Sequence, residues 1–301
     1  MDYIMGMNSG SSFDGIDVIL AEIEPDHDGF PKAPRFLCGG SYDWPKEVIP
    51  IVRDAFENRV DMIGLNRLNY ICGAVFAEKA NKFMEENNIN PLDIKVLGLD
   101  TQTIYQEQPD HAKIADMTEE EKGDCLCILH CNLPPSRISV PAGLQMGEAS
   151  VIANLTNIDT VTHFRPADHV WGGAAAPLMP YLDWILFRNE DKPVMTLNIG
   201  GIANLHVACK DRRDMFGFDT GPGNAVSNYL CKKLTGKDYD KDGELAMKGS
   251  VNEEMLDFFM HHPFWDRPVP RSGWVGDYNE EYIDSVLKKF GHLSREDILA
   301  T

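Results

Sequence analysis

The feature that most constrains this chain is a small supersecondary unit that occurs twice. Tyr3-Ile4-Met5 runs into Gly6-Met7-Asn8-Ser9-Gly10-Ser11-Ser12-Phe13-Asp14-Gly15, and a strand-like pattern resumes at Ile16–Ile23. Later, Val194–Ile199, Gly200-Gly201 and residues 202–207 repeat the order strand, glycine turn, strand. Gly, Ser and Asn supply φ freedom and short polar groups, so consecutive backbone N–H groups of such a turn can face one anion. Two such turns, one near the start of each half, can hold a polyphosphate from two sides. Other phosphate motifs do not fit. Neither turn has GxGxxG spacing or leads promptly into a helix, and no Gly-Lys-Ser/Thr closes a glycine loop. The reading is a two-domain phosphate-handling enzyme, set against a non-enzymatic α/β scaffold.

Length and charge sharpen it. A chain of 301 residues, 43% hydrophobic, suits two domains, and the Gly/Ala/Pro run within residues 172–190 places them at 1–180 and 181–301. The formal net charge of -19 excludes a broad basic surface for nucleic acid or an anionic membrane. Residues 1–150 carry 12 basic and 25 acidic side chains, residues 151–301 carry 16 and 22, so an anionic ligand must be gripped locally by backbone dipoles or a metal. No apolar run reaches membrane-spanning length and no leader pattern opens the chain, which points to the cytoplasm. Seven cysteines include Cys125, Cys127 and Cys131 around His130, which read as reduced thiols rather than zinc ligands.

Periodicity predicts helices over 45–60 and 65–88, then a strand over 93–99 that delivers Asp100, Thr101, Gln102 and Thr103 to a strand end, where open α/β sheets place ligand groups. Residues 105–137 are polar, acidic and interrupted by Pro134-Pro135, as expected of a surface excursion. A helix over 147–157 and a strand over 160–164 lead to Arg165-Pro166-Ala167-Asp168. Further helices are expected over 180–187, 225–235, 251–260 and 278–289 and from 294 onward.

The residues in these places resemble the anhydro-N-acetylmuramic acid kinases and their relatives the levoglucosan kinases. The resemblance rests on residues 7–17, Leu144-Gln145-Met146-Gly147, Phe164-Arg165 with Asp168, Ala176-Pro177-Leu178, Asn198-Ile199-Gly200-Gly201-Ile202-Ala203-Asn204, Phe218-Asp219-Thr220-Gly221-Pro222-Gly223-Asn224 and Tyr239-Asp240-Lys241-Asp242-Gly243, in the family's order along the whole chain. It implies an α/β, two-domain actin-like ATPase and sugar-kinase fold, ATP with Mg2+, a 1,6-anhydrosugar substrate and a homodimer. It also implies the chemistry. Water opens the anhydro bridge, a carboxylate takes its proton, and the freed O6 attacks the γ-phosphate.

By motif position that carboxylate is Asp168, with a turn-capping aspartate as the plainer alternative. Arg165, Asp100 and Gln102 are the expected substrate contacts, although Arg165 could equally be a structural ion pair. Asn8, Ser9, Gly10, Ser11 and Ser12 would hold phosphates, with Asp14 orienting Mg2+; Ser12 and Asp14 could instead satisfy the turn's own N–H groups. Gly200 and Gly201 would form the second phosphate turn, and Asp219, Gly221, Gly223 and Asn224 the nucleotide-side loop, Asp219 sharing the metal shell. Departures from the family pattern are Leu99-Asp100-Thr101-Gln102-Thr103 for Ser-His-Gly-Gln-Thr, His163 for an aspartate, and Gly173-Ala174-Ala175-Ala176-Pro177 for Gly-Gln-Gly-Ala-Pro. The family's C-terminal glycine-rich segment has no counterpart, so the second domain is expected to be incomplete. Alternative readings are a kinase of levoglucosan or another neutral anhydrosugar, and a catalytically weakened binding relative.

Overall fold

The computed structural model describes residues 2–10, 13, 15–106, 118, 143–169, 173–273 and 275–301. They divide into two compact units, Met1–Ala175 and Ala176–Thr301.

The first unit is built on a five-stranded sheet. Its strands are β1 (Asp2–Asn8), β2 (Ile16–Ile23), β3 (Arg35–Tyr42), β4 (Ile94–Asp100) and β7 (Thr160–Thr162), in the order β3-β2-β1-β4-β7. β1 and β2 form the antiparallel hairpin, and β4 lies parallel to both β1 and β7. Alternation along the strands buries Met5, Met7, Ile16, Val18, Leu97 and Leu99. Against that face packs α2 (Met62–Glu86), whose Leu68, Cys72, Phe76, Ala80 and Phe83 recur at helical spacing and are fully buried. Asp61 caps this helix by accepting from Gly64 N at 2.8 Å.

The first helix is shorter than its periodicity predicts. α1 spans only Ile49–Phe56, because Asn58 takes a left-handed φ of 55° and Arg59 N turns back to Asp54 O before Asp61 starts α2. The expected surface excursion over 105–137 starts within a strand, with Tyr105 exposed and Gln106 buried. β5 (Gln102–Gln106) pairs with β6 (Gly143–Met146), and Gln102, Thr103, Ile104 and Gln106 are buried. Apart from Thr118, the rest of that stretch, including Pro134-Pro135 and Cys125, Cys127, His130 and Cys131, lies outside the described residues. Two further short helices lie among the described residues of this unit: α3 (Ala149–Thr156) and α4 (Arg165–His169).

The second unit carries a three-stranded antiparallel sheet formed by β8 (Val194–Ile199), β9 (Ile202–Ala208) and β10 (Phe216–Pro222), with β9 in the middle. One face meets α5 (Pro180–Phe187), where Asp183, Thr196 and His206 form a buried cluster: His206 Nδ1 stands 2.7 Å from Asp183 Oδ2. On the other face Met195, Leu197 and Ile199 of β8 are each more than half exposed. A second core gathers Leu230 of α6 (Asn224–Thr235), Met255 of α7 (Glu253–Met260), Ile283, Val286 and Phe290 of α8 (Glu280–Phe290), and Ile298 of α9 (Arg295–Ala300).

Candidate active site

The first unit gathers the expected sugar-side residues at the C-terminal edge of its parallel strands. Asn8 ends β1 opposite Asp100, the last residue of β4. β7 runs alongside β4 and delivers Arg165 and Asp168 on α4. His163 makes the turn between them with φ 59°, a left-handed conformation that histidine tolerates better than most residues.

Arg165 forks onto Asp100, with Nη2 2.8 Å from Oδ2 and Nε 3.4 Å from Oδ1, and its Nη1 donates to Ala175 O at 3.3 Å. Asp100 Oδ1 also accepts from Gln145 Nε2 at 2.6 Å. The Asp100 carboxylate and the Arg165 guanidinium are thus paired with one another in this geometry. Asp168 is exposed; its Oδ2 accepts from Ala175 N at 2.7 Å, and Oδ1 has no protein partner among the described residues. Ala175 itself holds φ 54°, at a position where the family resemblance puts glycine.

The hairpin residues divide by what their side chains do. Ser9 is 2% exposed, and its hydroxyl lies 2.7 Å from Gln102 Oε1, 3.0 Å from Gly15 O and 3.1 Å from Trp44 Nε1. Gln102, fully buried, donates from Nε2 to Thr103 O at 3.1 Å and Gly10 O at 3.4 Å. Both side chains brace the turn from within, which among its described residues leaves the backbone and Asn8 to meet a ligand. Ser11, Ser12 and Asp14 lie outside the described residues.

In the second unit the two expected glycine segments meet. Gly200 O accepts from Asn224 N at 2.7 Å, and Gly201 O accepts from Gly223 N at 2.9 Å and Ala225 N at 3.1 Å. The first amides of α6 are therefore used by the β8–β9 turn, and a Cβ on Gly223 would overlap Gly200 O. At Gly221, with φ 142°, the close neighbour is Trp265, whose ring would lie 2.7 Å from an added Cβ. Asp219 is 5% exposed and its Oδ2 accepts from Gly273 N at 2.6 Å. Mg2+ typically takes one or two carboxylates plus phosphate oxygens and water. Asp219 is buried with Oδ2 engaged by an amide, and the described residues hold no group of three or more His, Cys, Asp or Glu side chains suited to a metal, so a Mg2+ shell here would be completed by phosphate oxygens and water. Beside Pro222 and Gly223 lies a cavity of about 330 Å3 lined by Val226, Leu230, Phe259, Trp265, Tyr278 and Tyr282.

Two residues that hold this site, Gln106 and His169, were not singled out from sequence, and Gln145 was quoted within a motif without a role at the site. Gln145 stands opposite Thr103 in the β5–β6 register, a polar side chain at a buried strand position. Gln106 is the last residue of the alternating β5 segment, and His169 follows Asp168 directly. A polar residue at an inward strand position was the available signal in both strands.

Comparison with known proteins agrees with the motif order. Residues 2–119 and 132–301 match the family described as "Anhydro-N-acetylmuramic acid kinase". Relatives bearing that name include a protein of Bacillus cereus, 33% identical over 302 residues covering 99% of this chain and 72% of the relative, and one of Caldanaerobacter subterraneus subsp. tengcongensis, 32% identical over 305 residues covering 99% and 71%. A Clostridioides difficile protein of the same name is 30% identical over 305 residues, covering 99% and 72%. Among solved structures, the ethanolamine utilization protein EutJ from Carboxydothermus hydrogenoformans overlays 96% of this chain and 83% of its own at a TM-score of 0.32 and 9% identity, a likeness too low to bear on function. No helix among the described residues is long and apolar enough to cross a membrane. With its motifs, its α/β build and matches of this extent, the chain belongs to the anhydro-N-acetylmuramic acid kinase family.

Proposed function

We propose that this chain transfers the γ-phosphoryl group of ATP to O6 of 1,6-anhydro-N-acetylmuramic acid while water opens the anhydro bridge. The observation that supports this most is Asp168, an exposed carboxylate with one oxygen fixed by Ala175 N–H and the other open, at the strand edge where the β1 hairpin also ends. In this reading Oδ1 of Asp168 takes a proton from water as the water oxygen bonds to the anomeric carbon. The C1–O6 bond breaks, O6 attacks the γ-phosphorus, and ADP leaves. Anhydrosugar, water and ATP become sugar 6-phosphate, ADP and a proton.

Asn8 and the backbone around Gly10 are assigned to the phosphates in the first unit, and the Gly200-Gly201 turn in the second. Arg165 and Asp100, already paired, order the site rather than offer a free charge to the sugar, and Gln102 braces the hairpin. Mg2+ is expected with the nucleotide from the family resemblance. Its carboxylate there is Asp14, outside the described residues, and no step is routed through the ion. A homodimer likewise follows the resemblance, and the cytoplasm is the compartment in which a reaction that consumes ATP is placed. The relatives' names favour the muramic sugar over levoglucosan, another neutral anhydrosugar or a purely binding role.

The test is product analysis. Incubated with ATP, Mg2+ and 1,6-anhydro-N-acetylmuramic acid, the chain is expected to give a sugar product heavier by one water and one HPO3 unit. A folded, ATP-binding chain that yields no such product would overturn the proposal.

A further inference from the structure

Residues 173–175 follow α4 and turn back onto it, and five of their six backbone polar groups are engaged in holding them there. Gly173 N donates to Asp168 O at 3.1 Å, and Gly173 O lies 3.2 Å from His169 Nδ1. Ala174 O accepts from Gln106 Nε2 at 2.9 Å. Ala175 N donates to Asp168 Oδ2 at 2.7 Å, and Ala175 O accepts from Arg165 Nη1 at 3.3 Å. Behind this strap, Gln106 Nε2 also stands 3.4 Å from His169 Nε2.

The donors and acceptors admit one consistent arrangement. Gln106 Nε2 has two protons, one for Ala174 O and one for His169 Nε2, which must then be the ring's lone-pair nitrogen; Nδ1 carries the ring proton and donates to Gly173 O. Gln106 and His169 are 8% and 4% exposed, so neither side chain is placed to touch a sugar or nucleotide. Gln106 Oε1 is buried with no partner among the described residues, an arrangement that destabilises the fold and that an apolar residue would avoid. Ala175 is held in the left-handed region, which is unfavourable for alanine and persists only when its surroundings impose it. Both costs converge on one peptide, the one whose N–H orients Asp168.

We infer that Gln106 and His169 are positioning residues for Asp168: they hold the 173–175 strap from behind so that Ala175 N–H fixes Oδ2 and leaves Oδ1 facing the water. This rests on the reading of Asp168 as the proton acceptor. The amide that the resemblance expects within the strap, replaced by Ala174, is supplied from β5 instead.

The experiment compares Gln106→Leu, His169→Leu and His169→Asn with the unaltered chain and with Asp168→Asn. Gln106→Leu and His169→Leu are expected to lower kcat for sugar-dependent ADP release about tenfold or more, with KM for ATP changed less than about twofold, because only the alignment of the reacting group is lost. His169→Asn, whose amide can replace the Nδ1 donor, should retain more of kcat than His169→Leu. Hydrogen exchange gives a readout independent of turnover: the Ala175 amide should exchange about tenfold faster in Gln106→Leu, while amides of β1 stay unchanged. Unchanged Ala175 protection, with kcat within about twofold in both leucine variants and turnover lost in Asp168→Asn, would overturn this inference and leave the reading of Asp168 standing. Turnover retained by Asp168→Asn would overturn both.

Discussion

Gly173→Ala isolates the geometry of Asp168 from the stability of the fold. An added Cβ would overlap Asp168 Oδ2 and Cγ and lie 2.5 Å from Oδ1, whereas real Cβ atoms essentially never come within 3.0 Å of such neighbours. Because the obstacle is the end of a side chain rather than backbone, the fold can yield by swinging the carboxylate away, at about 1 kcal/mol for the altered rotamer. The bond to Ala175 N is then broken, but Asp168 is exposed and water replaces the partner, so the total loss should be about 1–2 kcal/mol. In a unit of this size that is a fall in Tm of roughly 2–8 °C. The chemical effect is larger. Clearing the overlap moves the carboxylate about 1 Å, a misplacement that costs about 100-fold in rate. Thermal unfolding and sugar-dependent ADP release measured side by side should therefore show a modest change in Tm and a large one in kcat. A kcat within about twofold of the parent would refute the argument that Asp168 acts from the position in which Ala175 holds it.

Three further outcomes follow from other parts of the molecule. Ala175→Gly should leave stability within about 1 kcal/mol of the parent, while Ala175→Val at φ 54° should cost about 2 kcal/mol, read from urea unfolding midpoints. Glu148 caps α3; hydrogen bonds from the Ser150 hydroxyl first, then from Ser150 N and Asn69, hold its carboxyl below the ordinary value of 4.5. A lowered carboxylate pKa contributes stability above its unfolded value that disappears as pH falls through the folded value, so Glu148→Ala should cost about 1 kcal/mol at neutral pH and converge with the parent well below pH 4.5. His206→Phe leaves Asp183 buried with Thr196 alone and should destabilise the second unit by about 3 kcal/mol. Adding Asp183→Asn should recover part of that loss, and calorimetry that finds the double variant less stable than the single one would contradict the pairing.

The two hairpins were legible because alternation and glycine turns are local signals: Ile16–Ile23 and Val194–Ile199 fall where the pattern puts them. β3 and the β5–β6 pair were not. Arg35–Tyr42 mixes Gly39 and Gly40 with exposed Phe36, and it becomes a strand only by pairing with β2. Gln102 reads as a ligand group at a strand end and Gln106 as part of a surface excursion, until β6 arrives from nearly 40 positions away to bury both. The site divides the same way. The motifs supplied Arg165 and Asp168 and the strand end supplied Asp100, but not that Arg165 answers Asp100, that Ser9 turns inward to Trp44, or that Gly200 and Gly201 accept the first amides of α6. Each of these is a contact between segments whose separation carries no periodic signal.

The central claim is that one carboxylate, Asp168, makes phosphoryl transfer depend on the anhydrosugar. It is tested most directly by the initial rate of ADP release with and without 1,6-anhydro-N-acetylmuramic acid, for the parent chain and for Asp168→Asn. The account predicts sugar-dependent release from the parent and its loss in Asp168→Asn at unchanged ATP affinity. Release that ignores the sugar, or that survives the substitution, would contradict it.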